Sequence, residues 1–343
     1  MVRGCFRLCS GRLAAPQWRQ LSARHLFRYI AGPALLCFSV LVQGFMIQQG
    51  FAYVLPAKAP SWRWLHLAAF GYIALLFFFN YGMVILSDPG SPKSASYRQL
   101  LRAAVVKGIV HPDDARRQLE GVLTEGSLVD QDLLLPPDDP YEWVFCRYSR
   151  SLKPPRAHFD KVTRQLVLNM DHYCSWLFNV VGYNNYRHFF LTIWSLLLAS
   201  VFGLLESLGP YFEARRLRGA LLAGNTTASA AASRSGGGVA LQSEPLLFRL
   251  VLLCSVCSLV VGHFVFWHLW HCVLKGRTTL EFYADKRQGL PSNSTTNPYC
   301  RGSKLENWRH IFGDGHPCLA LLLPSRAPPP WPPYPAGDPQ ASV

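Results

Sequence analysis

Charge is what this 343-residue sequence has least of: Asp, Glu, Lys and Arg make up 16% of it, against roughly a quarter in ordinary soluble domains. With an aromatic share of 13%, that shortage excludes a typical cytosolic fold and a disordered chain alike. Acid is absent from residues 1–28, which carry Arg3, Arg7, Arg12, Arg19, Arg24 and Arg28. No basic stripe with interleaved aromatics runs through residues 87–187, where thirteen Lys and Arg nearly match twelve Asp and Glu, so an extended nucleic-acid surface is excluded too. The basic N-terminus, part of a formal charge of +14, is read instead as attraction to an anionic membrane face.

The apolar half of the chain is gathered into four segments, Tyr29–Leu55, Trp64–Leu86, His188–Leu205 and Leu246–Leu274. Each comes close to the ~20 apolar residues that a helix needs to cross ~30 Å of hydrocarbon while satisfying its own backbone. The predicted fold class is therefore all-α integral membrane, with four transmembrane helices. The first segment is too long for the core of a cleavable signal and is expected to stay as an anchor. The basic N-terminus and the eight Lys and Arg after the fourth segment place both termini in the cytoplasm. Residues 87–187, between helices two and three, then face the cytoplasm as well. Arg215, Arg216 and Arg218 run against this orientation. The Ala/Ser/Gly-rich stretch 210–245 reads as a flexible lumenal connector.

Cysteine is missing from both loops assigned to the lumen, which excludes an extracellular disulfide framework despite ten cysteines in all. Cys254 and Cys257 lie inside an apolar segment without a second pair and read as small buried hydrophobes. His263, His268 and His271, beside Trp267 and Trp270, read as an interfacial aromatic belt.

The chemistry is expected in the middle segment. Asp171-His172-Tyr173-Cys174 puts a thiol two residues from an imidazole and three from a carboxylate. A nucleophilic thiol needs a neighbouring base, and the base needs a group that fixes its tautomer. Those three residues alone are a weak signal, since a polar loop also supplies them by chance.

The residues around them strengthen it. Asp88-Pro89-Gly90 follows the second apolar segment. Cys146, Lys153, Pro154, Arg156 and His158 precede Met170-Asp171-His172-Tyr173-Cys174, and Val181-Gly182-Tyr183-Asn184-Asn185-Tyr186 leads into the third. Thr278-Thr279-Leu280-Glu281 follows the fourth, and Asn297-Pro298-Tyr299 and Asn307-Trp308-Arg309 come later. In this order the motifs resemble those of the DHHC family of protein S-acyltransferases, in its DHYC variant, over about residues 27–315. The resemblance implies an acyltransferase that moves palmitate from palmitoyl-CoA, through a Cys174 acyl-enzyme, to cytoplasmic cysteines of target proteins. Membrane lipid is a further expected partner, and nucleic acid is not. The catalytic residues would be Cys174, His172 and Asp171. The resemblance also suggests that Lys153, Arg156 and His158 face the CoA phosphates and that Thr279 and Asn307 support the active-site loop. A catalytically inactive membrane adaptor is the alternative.

The family implies five parts: a basic N-terminus (1–28), two helices (29–86), a cytoplasmic loop (87–187) with the catalytic, cysteine-rich-type domain at about 143–187, two further helices (188–274) and a cytoplasmic tail (275–343). Its endomembrane location, Golgi or ER, is carried over as an expectation. Its cysteine-rich domain binds two structural zinc ions, and there the sequence departs. An ungapped reading places Cys146, Ser149, Phe159 and Leu166 at the ligand positions of one site and Asp160, Thr163, Tyr173 and Val180 at those of the other. One ligand of eight survives, too few for a tetrahedral site. No metal or cofactor is expected, and a small packed core is expected to hold the loop instead.

Overall fold

The computed structural model describes residues 32–56, 59–121, 143–224, 237–289 and 299–329. The basic N-terminus, 1–28, lies outside them. In chain order the helices are α1 (Gly32–Gln49, prolonged by a π-turn over Gly50–Val54), α2 (Pro60–Leu86), α3 (Ala95–Val106), α4 (Pro112–Glu120), α5 (Tyr186–Leu222), α6 (Gly237–His271), α7 (Thr279–Arg287), α8 (Lys304–Phe312) and α9 (Pro317–Leu322). Among the described residues three helices are long and apolar enough to cross a membrane: Pro60–Leu86, Tyr186–Leu222 and Ser243–Lys275. The first apolar segment is helical too, as α1 and its π-turn.

The chain is mostly helical rather than all-helical. Between α4 and α5 lie three antiparallel hairpins of three-residue strands: β1 (Val144–Cys146) with β2 (Ser151–Lys153), β3 (His158–Asp160) with β4 (Gln165–Val167), and β5 (His172–Cys174) with β6 (Asn179–Val181). Each hairpin closes through four residues, the last of which is left-handed: Arg150 (φ 49°), Arg164 (φ 56°) and Phe178 (φ 52°). None is glycine, so the turns carry no signal of the usual kind. The helices also run further than the apolar segments predicted. Residues 210–222, expected in a flexible connector, continue α5 past Pro210, and 237–245 belong to α6.

α2, α5 and α6 enclose an apolar core that continues beneath the third hairpin. Val84 of α2, Leu177 and Val181 around β6, Phe189 and Phe190 of α5, Val265 of α6 and Val273 pack with Trp308 and Phe312 of α8. Polar ties set the hairpin at the end of α2. The Asn179 amide donates to the carbonyls of Val84 (2.9 Å) and Ser87 (2.9 Å), groups that a helix end leaves without partners. Asp88 accepts from the backbone N–H of Gly90 and Ser91, and Leu168 N–H donates to Gly90 (3.0 Å). Gly182 completes the joint, because a Cβ there would stand 2.4 Å from Val167 and 2.6 Å from the Pro89 carbonyl.

Candidate active site

Strand β5 carries His172 and Cys174, and Asp171 stands just before it, fixed by its N–H to the Val181 carbonyl (2.8 Å). The Asp171 carboxylate is fully buried. Its Oδ2 lies 2.7 Å from His172 Nδ1, while Thr279 at the start of α7 donates its N–H to Oδ1 (2.6 Å) and its hydroxyl to Oδ2 (2.8 Å). The helix N-terminus adds its partial positive charge to the same carboxylate. Burial alone would raise the Asp171 pKa, but the bond to His172 and its charge outweigh it and hold the group below the ordinary carboxylate range.

His172 is hydrogen-bonded to Asp171 and shares its strand with Cys174. Burial pulls its pKa down, yet the bonds and charges of Asp171 and Cys174 prevail and raise it to about 10. The imidazole is therefore held protonated at neutral pH, with its Nδ1 side turned to the carboxylate. Cys174 is buried beside Leu177, Val181 and Phe189. Carboxylate, imidazole and thiol thus stand along one short strand, an arrangement that could carry acid–base chemistry on a thiol.

The helix corner that carries Thr279 is itself braced. Thr278 and Glu281 form a reciprocal capping box. Asn307 donates to the Leu274 carbonyl (3.0 Å) and accepts from Arg301 N–H (2.9 Å). Gly276 (φ +63°) leaves room for that amide, since a Cβ there would lie 2.7 Å from Asn307 Oδ1. Asn307 thus touches the corner rather than the reacting groups.

The three residues suggested for CoA phosphates are not alike. The Arg156 guanidinium turns inward: Nε and Nη2 grip Glu281 at 2.7 and 2.8 Å, Nη2 also reaches the Gly276 carbonyl, and the Tyr299 ring stacks beneath at 4.3 Å. It ties the second hairpin to the α6–α7 corner. Burial, reinforced by the charge of Lys153, lowers the His158 pKa to about 4, so at neutral pH its ring brings no charge to a phosphate. Lys153 ends β2, half-buried.

His268 also belongs here and not to an interfacial belt. Its ring centroid lies 6.2 Å from that of His172, with Phe189 at 5.0 Å from each, and Tyr186 Oη is 3.3 Å from its Nδ1. It sits 96 positions from His172, and nothing local in the sequence marks the approach.

Farther along the helices an apolar cavity opens between α1, α2, α5 and α6, with Met46, Phe51, Phe70, Phe77, Leu196 and Cys254 in its wall. Phe77 stacks on Tyr81 at 5.4 Å, and Tyr81 donates to the Trp176 carbonyl (3.0 Å), two residues from Cys174. At its end His66 Nδ1 and Glu206 Oε2 lie 3.0 Å apart.

The positions that would hold structural zinc do not fit it. Leu166 and Val180 are buried in apolar clusters, and Phe159 stacks on Tyr148 at 5.4 Å. The Asp160 carboxylate accepts from Thr163 N–H (2.6 Å) and its hydroxyl (2.7 Å). Among the described residues no three His, Cys, Asp or Glu side chains converge as a metal site would need.

Residues 139–286 match the model of the DHHC palmitoyltransferase family. The chain is 25% identical over 259 residues to a probable protein S-acyltransferase 16 of Arabidopsis thaliana, covering 73% of this chain and 75% of that one. It is 24% identical over 253 residues to palmitoyltransferase ZDHHC2 of Danio rerio (73% and 61%). Against palmitoyltransferase ZDHHC12 of Homo sapiens the identity is 30% over 183 residues (53% and 60%).

Proposed function

The chain belongs to the DHHC palmitoyltransferase family, and we propose that it is a protein S-acyltransferase that works through Cys174. His172 already holds the proton of the Cys174 thiol, and the sulfur attacks the thioester carbonyl of palmitoyl-CoA. The carbon–sulfur bond to CoA breaks, and the departing CoA thiolate takes a proton from the imidazolium. A cysteine thiol of a target protein then attacks the Cys174 acyl-enzyme, losing its proton to His172, and Cys174 leaves as the thiolate beside the re-formed imidazolium. Asp171 keeps the imidazole oriented throughout, and Thr279 keeps Asp171 in place. Proton transfer by a positioned base of this kind is worth about 10²–10⁴-fold.

The observation that carries this reading is the alignment of Thr279, Asp171, His172 and Cys174 through bonds of 2.6–2.8 Å at its carboxylate end. An inactive adaptor has no use for a buried carboxylate that orients an imidazole beside a thiol. Lys153 remains for the CoA phosphates, and the cavity beyond Tyr81 suits the acyl chain, whose burial is worth about 0.8 kcal/mol per CH₂. Among the described residues, three helices long and apolar enough to cross support a membrane protein. We further propose a fourth crossing by the first apolar segment, both termini and the Cys174 domain in the cytoplasm, and an endomembrane location, Golgi or ER. Structural zinc has no place in this reading.

The test is acyl-enzyme formation. Full-length protein incubated with a clickable palmitoyl-CoA is expected to take up label that hydroxylamine removes and that Cys174→Ser abolishes. Equal labelling of Cys174→Ser would overturn the proposal.

A further inference from the structure

We propose that the helical pair α3–α4 does intramolecularly what structural zinc would do: it holds in shape the first two hairpins, which lead into the one that carries Cys174. Isolated two-stranded hairpins are marginal at best and need an apolar partner or a clamp. Here the partner comes from residues 95–120, which precede the 139–286 matched by the family model. Tyr97, Leu100, Leu101 and Ala104 of α3 and Ala115 of α4 form one buried cluster with Trp143, Phe145 and Leu152 of the first hairpin and Leu166 and Leu168 of the second. Leu166 stands at a ligand position and is 1% exposed. The residue type that cannot bind metal is thus the one the helices pack against.

Polar contacts fix the register of that packing. Leu152, in the middle of β2, gives its N–H to Gln118 Oε1 (2.7 Å) and takes the Tyr97 hydroxyl on its carbonyl. Both outward backbone groups of the strand are therefore satisfied by the two helices, one each. Ser96 donates to Asn184 Oδ1 (2.6 Å) in the turn between the third hairpin and α5, so α3 is tied on both sides of the site. The helix starts where it does because Ser94 caps Tyr97 N–H (3.1 Å). Within the second hairpin the Asp160 carboxylate closes the turn onto Thr163, so a hydrogen-bonded turn replaces the thiolate–metal knuckle. The third hairpin turns Val180 and Tyr173 onto Val167, Met170 and Leu280.

The experiment uses the purified full-length protein in detergent, with zinc content, thermal melting and hydrogen exchange over residues 144–181 as readouts. Zinc is expected well below one ion per chain, and o-phenanthroline is expected to leave both melting and exchange unchanged. Leu101→Ala is expected to lower the melting temperature by roughly 5 °C or more and to speed exchange in 144–181 at least ~10-fold. If that variant does not fold, the milder Gln118→Ala, which leaves the Leu152 N–H without its acceptor, is expected to show the same local change to a smaller degree. Stoichiometric zinc whose removal melts the hairpins would overturn the proposal, as would wild-type melting and exchange in both variants. None of these readouts uses acyl transfer, so failure of the acyltransferase reading would leave this result standing, and the reverse.

Discussion

Thr279 holds Asp171 across 108 positions of sequence, with its N–H 2.6 Å from Oδ1 and its hydroxyl 2.8 Å from Oδ2. The first helical residue after the last long apolar helix thus orients the carboxylate that orients the base. A buried carboxylate lacking these donors would be costly to ionise, so in the proposed mechanism α7 acts as a positioning element although it does not touch the thiol.

Thr279→Val keeps the volume and removes the hydroxyl. A hydrogen bond to a charged group is worth about 1.5–3 kcal/mol, so Cys174 acylation should slow by roughly 10–100-fold. Thr279→Ser should restore most of the rate. Single-turnover labelling of the three proteins checks this.

Arg156→Gln separates two roles. As a tie to Glu281, its loss leaves a largely buried carboxylate unpaired and should cost about 3–5 kcal/mol of stability. Acylation should then fall at every acyl-CoA concentration. A phosphate contact would instead raise the half-saturating concentration of acyl-CoA while leaving melting alone, and a titration with parallel melting curves distinguishes the two.

Acid should destabilise the fold before it reaches Asp171. His158 and His310 are lowered to about 4 and about 3, chiefly by burial, so between these values and ~6.5 the unfolded chain binds protons that the native one does not. Stability is lost as pH falls through that window, and His158→Gln should flatten part of the loss in melting temperature from pH 7 to 4. His172, raised to about 10, acts the other way: its contribution is complete below ~6.5 and disappears only as pH climbs through about 10.

Arg164 is exposed and left-handed at the end of its turn. Glycine adopts that conformation without the penalty an L-residue meets. Arg164→Gly should therefore stabilise the protein by roughly 0.5–1 kcal/mol, read as a small rise in melting temperature. Gly182→Ala should do the reverse, since its Cβ would meet the Pro89 carbonyl, and overpacking of this kind costs about 1–3 kcal/mol or more.

What the sequence made legible was local. Asp171, His172 and Cys174 sit within four residues, and the apolar segments at 64–86 and 246–274 mark α2 and α6. Arg156 was misplaced because its partner Glu281 lies 125 positions away, and charge alone cannot tell an inward guanidinium from an outward one. His268 read as belt because its approach to His172 depends on how α5 and α6 cross. The hairpins went unseen because three-residue strands carry almost no period and their turns lack glycine. The connector at 210–245 read as loose because Ala, Ser and Gly outweigh the helix formers around Arg215 and Arg218.

The brace between Thr279 and Asp171 also sets a timetable. Synthesis delivers Cys174 and its imidazole well before α7 exists, and the corner that Asn307 secures comes later still. On the proposed reading, a nascent chain that has threaded its earlier helices carries the thiol with its carboxylate still unheld, and competence is expected only once the chain beyond α6 folds back and Thr279 reaches Asp171.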